Sequence, residues 1–422
     1  MLTIKIPRVE NKNHILKVIY PLIIDGVETE FWFCVESKYE NYLTIDRSDG
    51  ILVMVLIYAL HGGHNIKLEL PISEKLYYQI KYHLLPALTS ELTIEGLSPS
   101  PIKYGPITID APPPVKEAYP SGECVGTGMS CGVDSIFTYY FHNFIQNVES
   151  QKVNILTFMN LGGFSFVDGT DIIGKSGKRL YEEKLIIAEN FAKEANLSLF
   201  NVDSNFAEVF KGCRYDWGFT FILSGLILCF QRMFKVYYLS SAYSINSFNV
   251  AKEIVSSYFD IFALPNISTI CTTFYSSVAA YNRFSKVSLI TDYNIAHRLL
   301  SVCTVEDMSC GKCAKCVRMM VNLDALGKLD LFSEIYDLNE YRRRRIRHIG
   351  YAIAQRGKWF NESVILLRKA GKIPFLSYFH AIPFLLFKPI EYFLRNKLSV
   401  KSRVKILSLS RQLGIKIPKF FQ

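Results

Sequence analysis

Two groups of residues in this 422-residue chain have the types and spacing for chemistry. The first is Ser130-Cys131-Gly132-Val133-Asp134-Ser135, within a stretch of small and hydroxylated residues that runs straight into an apolar, helix-like segment. A loop feeding a helix N-terminus offers backbone N–H groups and the positive end of a helix dipole to a phosphate. Gly132 lets the backbone approach an anion closely. Ser130 and Ser135 add hydroxyl donors, and Asp134 can orient a neighbour or hold Mg2+. Taken alone, the same six positions also describe an ordinary Gly/Ser turn before a buried helix.

The second group is Cys303, Cys310, Cys313 and Cys316, spaced C-x6-C-x2-C-x2-C. Four thiolates suit a tetrahedral Zn2+ with bonds of about 2.3 Å. Gly311 allows a tight turn between Cys310 and Cys313, and Lys312, Lys315 and Arg318 offset the charge of a four-thiolate centre. An iron–sulfur cluster is the competing metal. With four protein ligands the sphere is closed, which implies a structural role. Cys124 and Cys131 could act as nucleophiles, or simply pack as small residues around the first loop. His61-Gly-Gly-His64 reads as a polar turn rather than a ligand pair.

The elements that must position these groups follow from the pattern. Residues 1–115 form a β-rich N-terminal domain, with alternation at Leu2–Ile6, Glu28–Val35 and Ile66–Leu70. The apolar run Ile51–Leu60 within it suits a buried helix. Ser73–Leu85 has helical spacing, with Ser73 as its cap and Pro86 as its stop. A proline-rich stretch, Ala111–Pro114, leads to the next region. From 116 to 330 strands and helices alternate: strands at Val153–Met159, Leu197–Val202 and Lys235–Ser240, helices at Leu180–Ala195 and Phe219–Met233. Such alternation predicts an α/β fold, a doubly wound parallel sheet with right-handed crossovers. Ligands then sit beyond the carboxyl ends of the strands, so loops 160–168, 203–206 and 240–246 would face Ser130–Ser135.

Residues 331–422 form a helical, basic C-terminal region. From Tyr341 onward nineteen Lys and Arg face two Glu, a net of +17. The whole chain carries +10, which leaves about −7 for the rest. The tail, with Arg342–Arg345 at its head, fits a nucleic acid, a membrane surface or an acidic partner. A helical bundle with a solvated basic face fits equally. Its longest apolar stretch is shorter than the roughly 20 residues of a membrane span. Ten cysteines and a first segment unlike a signal peptide place the expected location in the cytoplasm, peripheral at the membrane if the tail binds one.

Ser130–Ser135 resembles the Ser-Gly-Gly-x-Asp-Ser signature of the PP-loop ATP pyrophosphatases, with Cys131 in place of the second residue. If that position requires a positive φ, cysteine takes on strain that glycine avoids. The loop followed by the C-G-x-C-x-x-C cluster resembles 7-cyano-7-deazaguanine synthase, over about half the chain. The resemblance implies an adenine nucleotide alpha hydrolase-like fold, ATP and Mg2+ at residues 130–135, and a structural Zn2+ on the four cysteines. It implies cleavage of ATP to AMP and pyrophosphate, with Asp134 and Ser135 in the catalytic machinery. A carboxylate or carbonyl substrate is adenylated and then attacked by a nitrogen nucleophile. The family's substrate-binding segments have no clear match around 240–265, and the terminal regions lie outside the resemblance. A sugar amidotransferase, a tRNA-modifying enzyme and a non-catalytic nucleotide sensor are the other readings, and the protein could act as a homodimer.

Overall fold

The structure is a computed structural model that describes residues 1–89, 104–163, 177–250, 255–303, 309–355 and 360–397. It is a mixed α/β protein that divides into two compact units, Met1–Arg283 and Phe284–Gln422.

The first unit is built on one sheet. Its strands are β1 (Leu2–Ile4), β2 (Arg8–Lys12), β3 (Ile15–Ile24), β4 (Val27–Glu36), β5 (Ile66–Leu68), β6 (Ile109–Asp110), β7 (Cys124–Gly128), β8 (Ile155–Met159), β9 (Ser198–Ser204), β10 (Phe234–Ser240) and β11 (Thr273–Ser277). The order is β11-β10-β7-β8-β9-β4-β3-β1-β5-β6, with β2 against β3. The hairpin of β3 and β4 turns on Asp25 and Gly26, both left-handed, with Ile24 paired to Val27. That is the two-residue turn whose twist matches its strands.

Strands β9, β8, β7, β10 and β11 are parallel neighbours. All five residues of β8 are buried, four of them apolar, as in a strand covered on both faces. The chain moves from β7 outward to β8 and β9, then returns to the other side of β7 for β10 and β11. Strand order therefore reverses between β7 and β10. The N-terminal strands do not close on themselves. Phe33 pairs with Ser204 and Cys34 with Asp203, so β4 joins β9 antiparallel and the sheet runs through the boundary expected near residue 115.

The apolar run at 51–60 lies in the buried helix Asp49–Gly62, which ends on left-handed Gly63. It crosses the helix Tyr215–Leu228 backbone to backbone. A Cβ on Gly225 would stand 2.5 Å from both the Gly50 carbonyl oxygen and the Met54 nitrogen. The helix expected to stop at Pro86 instead continues to Leu88, through a π turn at Ile80–Leu84. The wider turn shifts the hydrogen-bond register ahead of Pro86, so its missing N–H falls within the opening positions of the last turn. Ser73 does not cap this helix; its hydroxyl donates to Asp49.

The second unit is helical. Its principal helices are Ala314–Leu326, Leu338–Ala354, Asn361–Lys369 and Leu376–Lys397. Tyr341 donates to Asp324 at 2.8 Å, and Gly350 lies close against Ser377 and His380. All four arginines of Arg342–Arg345 reach carboxylates: Asp330, Glu340, Glu340 and Asp324 in turn. Among the described residues no helix is long and apolar enough to cross a membrane. The basic stretch 398–422 lies outside the described residues.

Candidate functional site

The loop Met129–Gly132 joins the carboxyl end of β7 to the helix Val133–Tyr140. The Met129 N–H donates to the Thr157 carbonyl at 2.8 Å and fixes the exit from the sheet. Cys131 then takes φ +54°, in the left-handed region. This is the conformation that the signature's glycine reaches without strain. The reversal turns Gly132 into the N-cap position at φ −79° and ψ 170°, and no side chain caps the helix. Among the described residues a Cβ on Gly132 would meet only Ser130 Oγ, at 3.4 Å. Ser130 and Ser135 hydroxyls are 3.2 Å apart, and Ser135 Oγ donates to the Gly132 carbonyl at 3.1 Å. The six residues thus fold as one compact turn at the strand-order reversal, where open α/β sheets bind ligands.

Both candidate thiol nucleophiles are protonated thiols. Cys131 is buried beneath the loop with its Sγ toward the Ile187 carbonyl at 3.7 Å. Burial pushes it up to about 12. Burial also raises half-buried Cys124 in β7. Neither supplies the thiolate that nucleophilic attack requires.

Asp134, on the first turn of the helix, is held by Arg283 at 2.7 Å. Arg283 brings a guanidinium to the loop, and the sequence reading did not include it. Only its place six residues beyond the end of β11 links it to the carboxyl edge of the sheet. A second group on that edge was also missed. His142 Nε2 lies 2.8 Å from Ser277 Oγ, and its ring stacks on Tyr238 with centroids 3.5 Å apart. Burial lowers His142 to about 4, so the ring is neutral at pH 7. The next residue, Val278, has φ +55°, a rare conformation for a β-branched side chain. Tyr238 is level with Thr127 and Ser240 with Ser277, so Ser277 stands level with Met129 two strands away. That spacing is about 10 Å. The parallel pairing brings the strand exits after Met159, Ser204 and Ser240 to the same edge; residues 164–168 of the first loop lie outside the described residues.

In the second unit, the Sγ atoms of Cys303, Cys310, Cys313 and Cys316 lie within 4.8 Å of one another. Cys303 and Cys313 are 4.0 Å apart, and Cys310 and Cys316 are 3.9 Å apart. Four bonds of about 2.3 Å to one tetrahedral ion require sulfurs about 3.8 Å apart. Left-handed Gly311, at φ +64°, makes the turn that aims the Lys312 and Cys313 N–H groups at Cys310 Sγ, at 3.4 and 3.3 Å. The Cys316 N–H points at Cys313 Sγ. These bonds favour thiolates, whereas hydrogen bonding with Cys303 raises the metal-free Cys313 thiol to about 11 and Cys316 well above its usual range. The donor set fits a thiophilic dication that replaces those protons. His61 instead packs on Trp217, and His64 stacks on Tyr58 and pairs with Asp25. No family model, curated protein or solved structure matches the chain.

Proposed function

We propose that Ser130–Ser135 binds ATP and that the protein forms AMP and pyrophosphate, in the manner of the PP-loop enzymes. The first unit then has a doubly wound, adenine nucleotide alpha hydrolase-like core, for which the order β9-β8-β7-β10-β11 is the support. The observation that carries the reading is the left-handed backbone of Cys131, at the position where the signature has glycine. In this scheme the loop N–H groups and the Ser130 and Ser135 hydroxyls hold phosphate oxygens. Asp134 positions Arg283, whose charge opposes the negative charge that develops on the phosphates. Mg2+, if bound with the nucleotide, would supply charge neutralisation for the departing pyrophosphate. A carboxylate or carbonyl oxygen of the substrate attacks the α-phosphorus, and the bond to the β-phosphate oxygen breaks. A nitrogen nucleophile then attacks the activated carbon, and AMP leaves.

With α-labelled ATP, Mg2+ and carboxylate or carbonyl substrates, the labelled product is AMP, released with pyrophosphate. Labelled ADP instead would sink the mechanism. Asp134→Asn is expected to slow pyrophosphate release by roughly 10²-fold. Retention of nucleotide binding with no turnover by the unsubstituted protein would make the loop a sensor. For the cysteines we propose one Zn2+ per chain. Elemental analysis of purified protein tests this, and visible absorbance with bound iron would replace zinc by an iron–sulfur cluster.

A second reading concerns the helix Leu376–Lys397. Phe379, Ile382 and Leu386 are exposed along one stripe of this helix, and Phe375, just before it, is exposed too, within the region of +17 charge. That combination suits an anionic membrane surface better than a nucleic acid, since Arg342–Arg345 already meet carboxylates. The protein should float with phosphatidylserine vesicles at low salt, and Phe379→Asp should weaken this. Failure to float at low salt rules the reading out.

A further inference from the structure

The cavity that points to a second ligand lies on the amino side of the sheet. It holds about 390 Å³ and is lined by segments that precede β7, β10 and β11, together with Arg47 and the start of the helix at Ser73. Those three strands are parallel, so the cavity and the Ser130–Ser135 loop face opposite edges. The five residues of β7 put about 16 Å between them.

Arg47 is the central feature. It is 8% exposed, and among the described residues it forms no ion pair. Its hydrogen bonds, to the Glu117 carbonyl at 2.5 Å and Ser73 Oγ at 3.4 Å, both leave from Nη1. The guanidinium lies over the Tyr119 ring at 4.3 Å, and the Tyr119 hydroxyl is pinned by Asp46 at 2.7 Å. The fork is therefore fixed in direction, and Nε and Nη2 have no hydrogen-bond partner among the described residues. Asp49 is close enough for its charge to be felt but makes no direct contact with Arg47, and a buried guanidinium with no carboxylate in contact is costly unless an anion joins it.

The surrounding polar groups are organised rather than collapsed onto Arg47. Asp49, fully buried, accepts from the Ser73 N–H at 2.7 Å, from the Ser73 hydroxyl and from Gln231 Nε2 at 2.9 Å. Thr269 donates to Gln231 Oε1 at 2.6 Å. Asp49 is thus occupied by this network instead of by Arg47. Lys75, held by the Thr269 carbonyl at 3.0 Å, is a second cation at the rim. Counted over the whole lining, three cations (Arg47, Lys75, Lys116) face two carboxylates (Glu74, Glu117). The surplus is one positive charge. The remaining wall, with Val115 and Ile270, is apolar.

We propose that this cavity binds a small monocarboxylate with an apolar body, its carboxylate on the Arg47 fork and its body against Val115 and Ile270. A bidentate guanidinium matches a planar carboxylate, and a single surplus charge matches one negative charge rather than two. The volume is that of a small-molecule site.

Benzoate is the probe, with benzamide as its uncharged counterpart and inorganic phosphate as a dianionic competitor. Saturation-transfer NMR and calorimetry on the full chain should show benzoate binding, with benzamide and phosphate both much weaker. Arg47→Met should weaken benzoate by roughly tenfold or more. Lys75→Met alters an exposed side chain, keeps the fold if Arg47→Met does not, and should also weaken benzoate. Saturating ATP should leave benzoate affinity unchanged. Four results would each overturn the assignment: no benzoate binding, equal binding of benzamide, tighter binding of phosphate, or displacement by ATP. Because the probe reports binding at the amino edge alone, it is independent of whether the loop turns over ATP.

Discussion

Cys131 concentrates the residue-scale question, because its backbone is glycine-like while its side chain is buried. A left-handed conformation costs a residue with a Cβ about 1–2 kcal/mol. Cys131→Gly removes that strain but also removes a buried thiol and adds chain entropy to the unfolded state. These effects oppose one another, so the variant should melt within about 1 kcal/mol of the parent. Cys131→Val keeps the bulk and adds a β-branch, and should lose about 2–3 kcal/mol in urea titrations. Equal stability of the two variants would contradict the strain assignment. Position 131 was legible from sequence, since the signature itself marks where glycine is expected. Arg283 and the pair of His142 with Ser277 were not, because they meet the loop edge only through strand register. His142 carries its own test. Its folded value, about 4, lies below the ordinary 6.5, so between those pH values the unfolded chain binds more protons. Its contribution is complete above pH 6.5 and is lost as pH falls toward 4. His142→Gln should flatten the stability slope of the first unit in that window, and an unchanged slope would show that His142 titrates normally.

At the scale of elements, the crossing of Asp49–Gly62 with Tyr215–Leu228 joins the N-terminal segment to the α/β strands. Both helices are apolar on nearly every face, as helices buried all round must be. Gly50 and Gly225 allow their backbones to touch, and neither helix can retreat without uncovering its neighbours. Gly225→Ala should therefore cost about 3 kcal/mol, the upper end of overpacking effects. Ser224→Ala is the neighbouring control. Its hydroxyl is buried with no hydrogen-bond partner among the described residues, so its removal should leave stability level or slightly raised. Urea titrations of the pair separate a packing effect from a loss of helix propensity, because alanine is favourable at both positions. The buried helix and strands β1, β4, β5, β8, β9 and β10 were readable from hydrophobic patterning, whereas β7, with the small residues Cys124–Gly128, and β11, Thr273–Ser277, carry no such run. The union of β4 with β9 was not, since two residue pairs far apart in sequence leave no local pattern. A β-rich run followed by an α/β run reads as two domains even where one sheet passes through both.

For the whole molecule, the division at Arg283–Phe284 assigns the two chemically suggestive groups to different units. The loop belongs to the first, whereas the four cysteines belong to the second together with the ion-paired helices. The cluster ties Cys303 and Cys310 to the first turn of Ala314–Leu326, where Cys313 is the N-cap residue and Cys316 is buried. That helix carries Asp324, the partner of Tyr341 and Arg345, and Asn322, the partner of Ser363. Removal of the proposed Zn2+ would leave four clustered thiols, with Cys313 and Cys316 raised by their neighbours, at the start of a helix on which two others depend. Metal binding to such a site contributes directly to folding free energy, and a chelator should remove that contribution. The expected result is selective. Prolonged chelation at low pH, or Cys313→Ser, should expose the second unit to proteolysis and lower its melting transition by well over 5 °C, as a loss of several kcal/mol would do. The nucleotide binding proposed for Ser130–Ser135 should survive in the same sample, because none of the four clustered cysteines lies in the first unit. Simultaneous loss of both in calorimetry and nucleotide titration would show that the two units fold as one cooperative body. The order of loop and cysteines, which resembles that of a PP-loop enzyme, led to one expected region over 116–330; the compact units Met1–Arg283 and Phe284–Gln422 hold one group each.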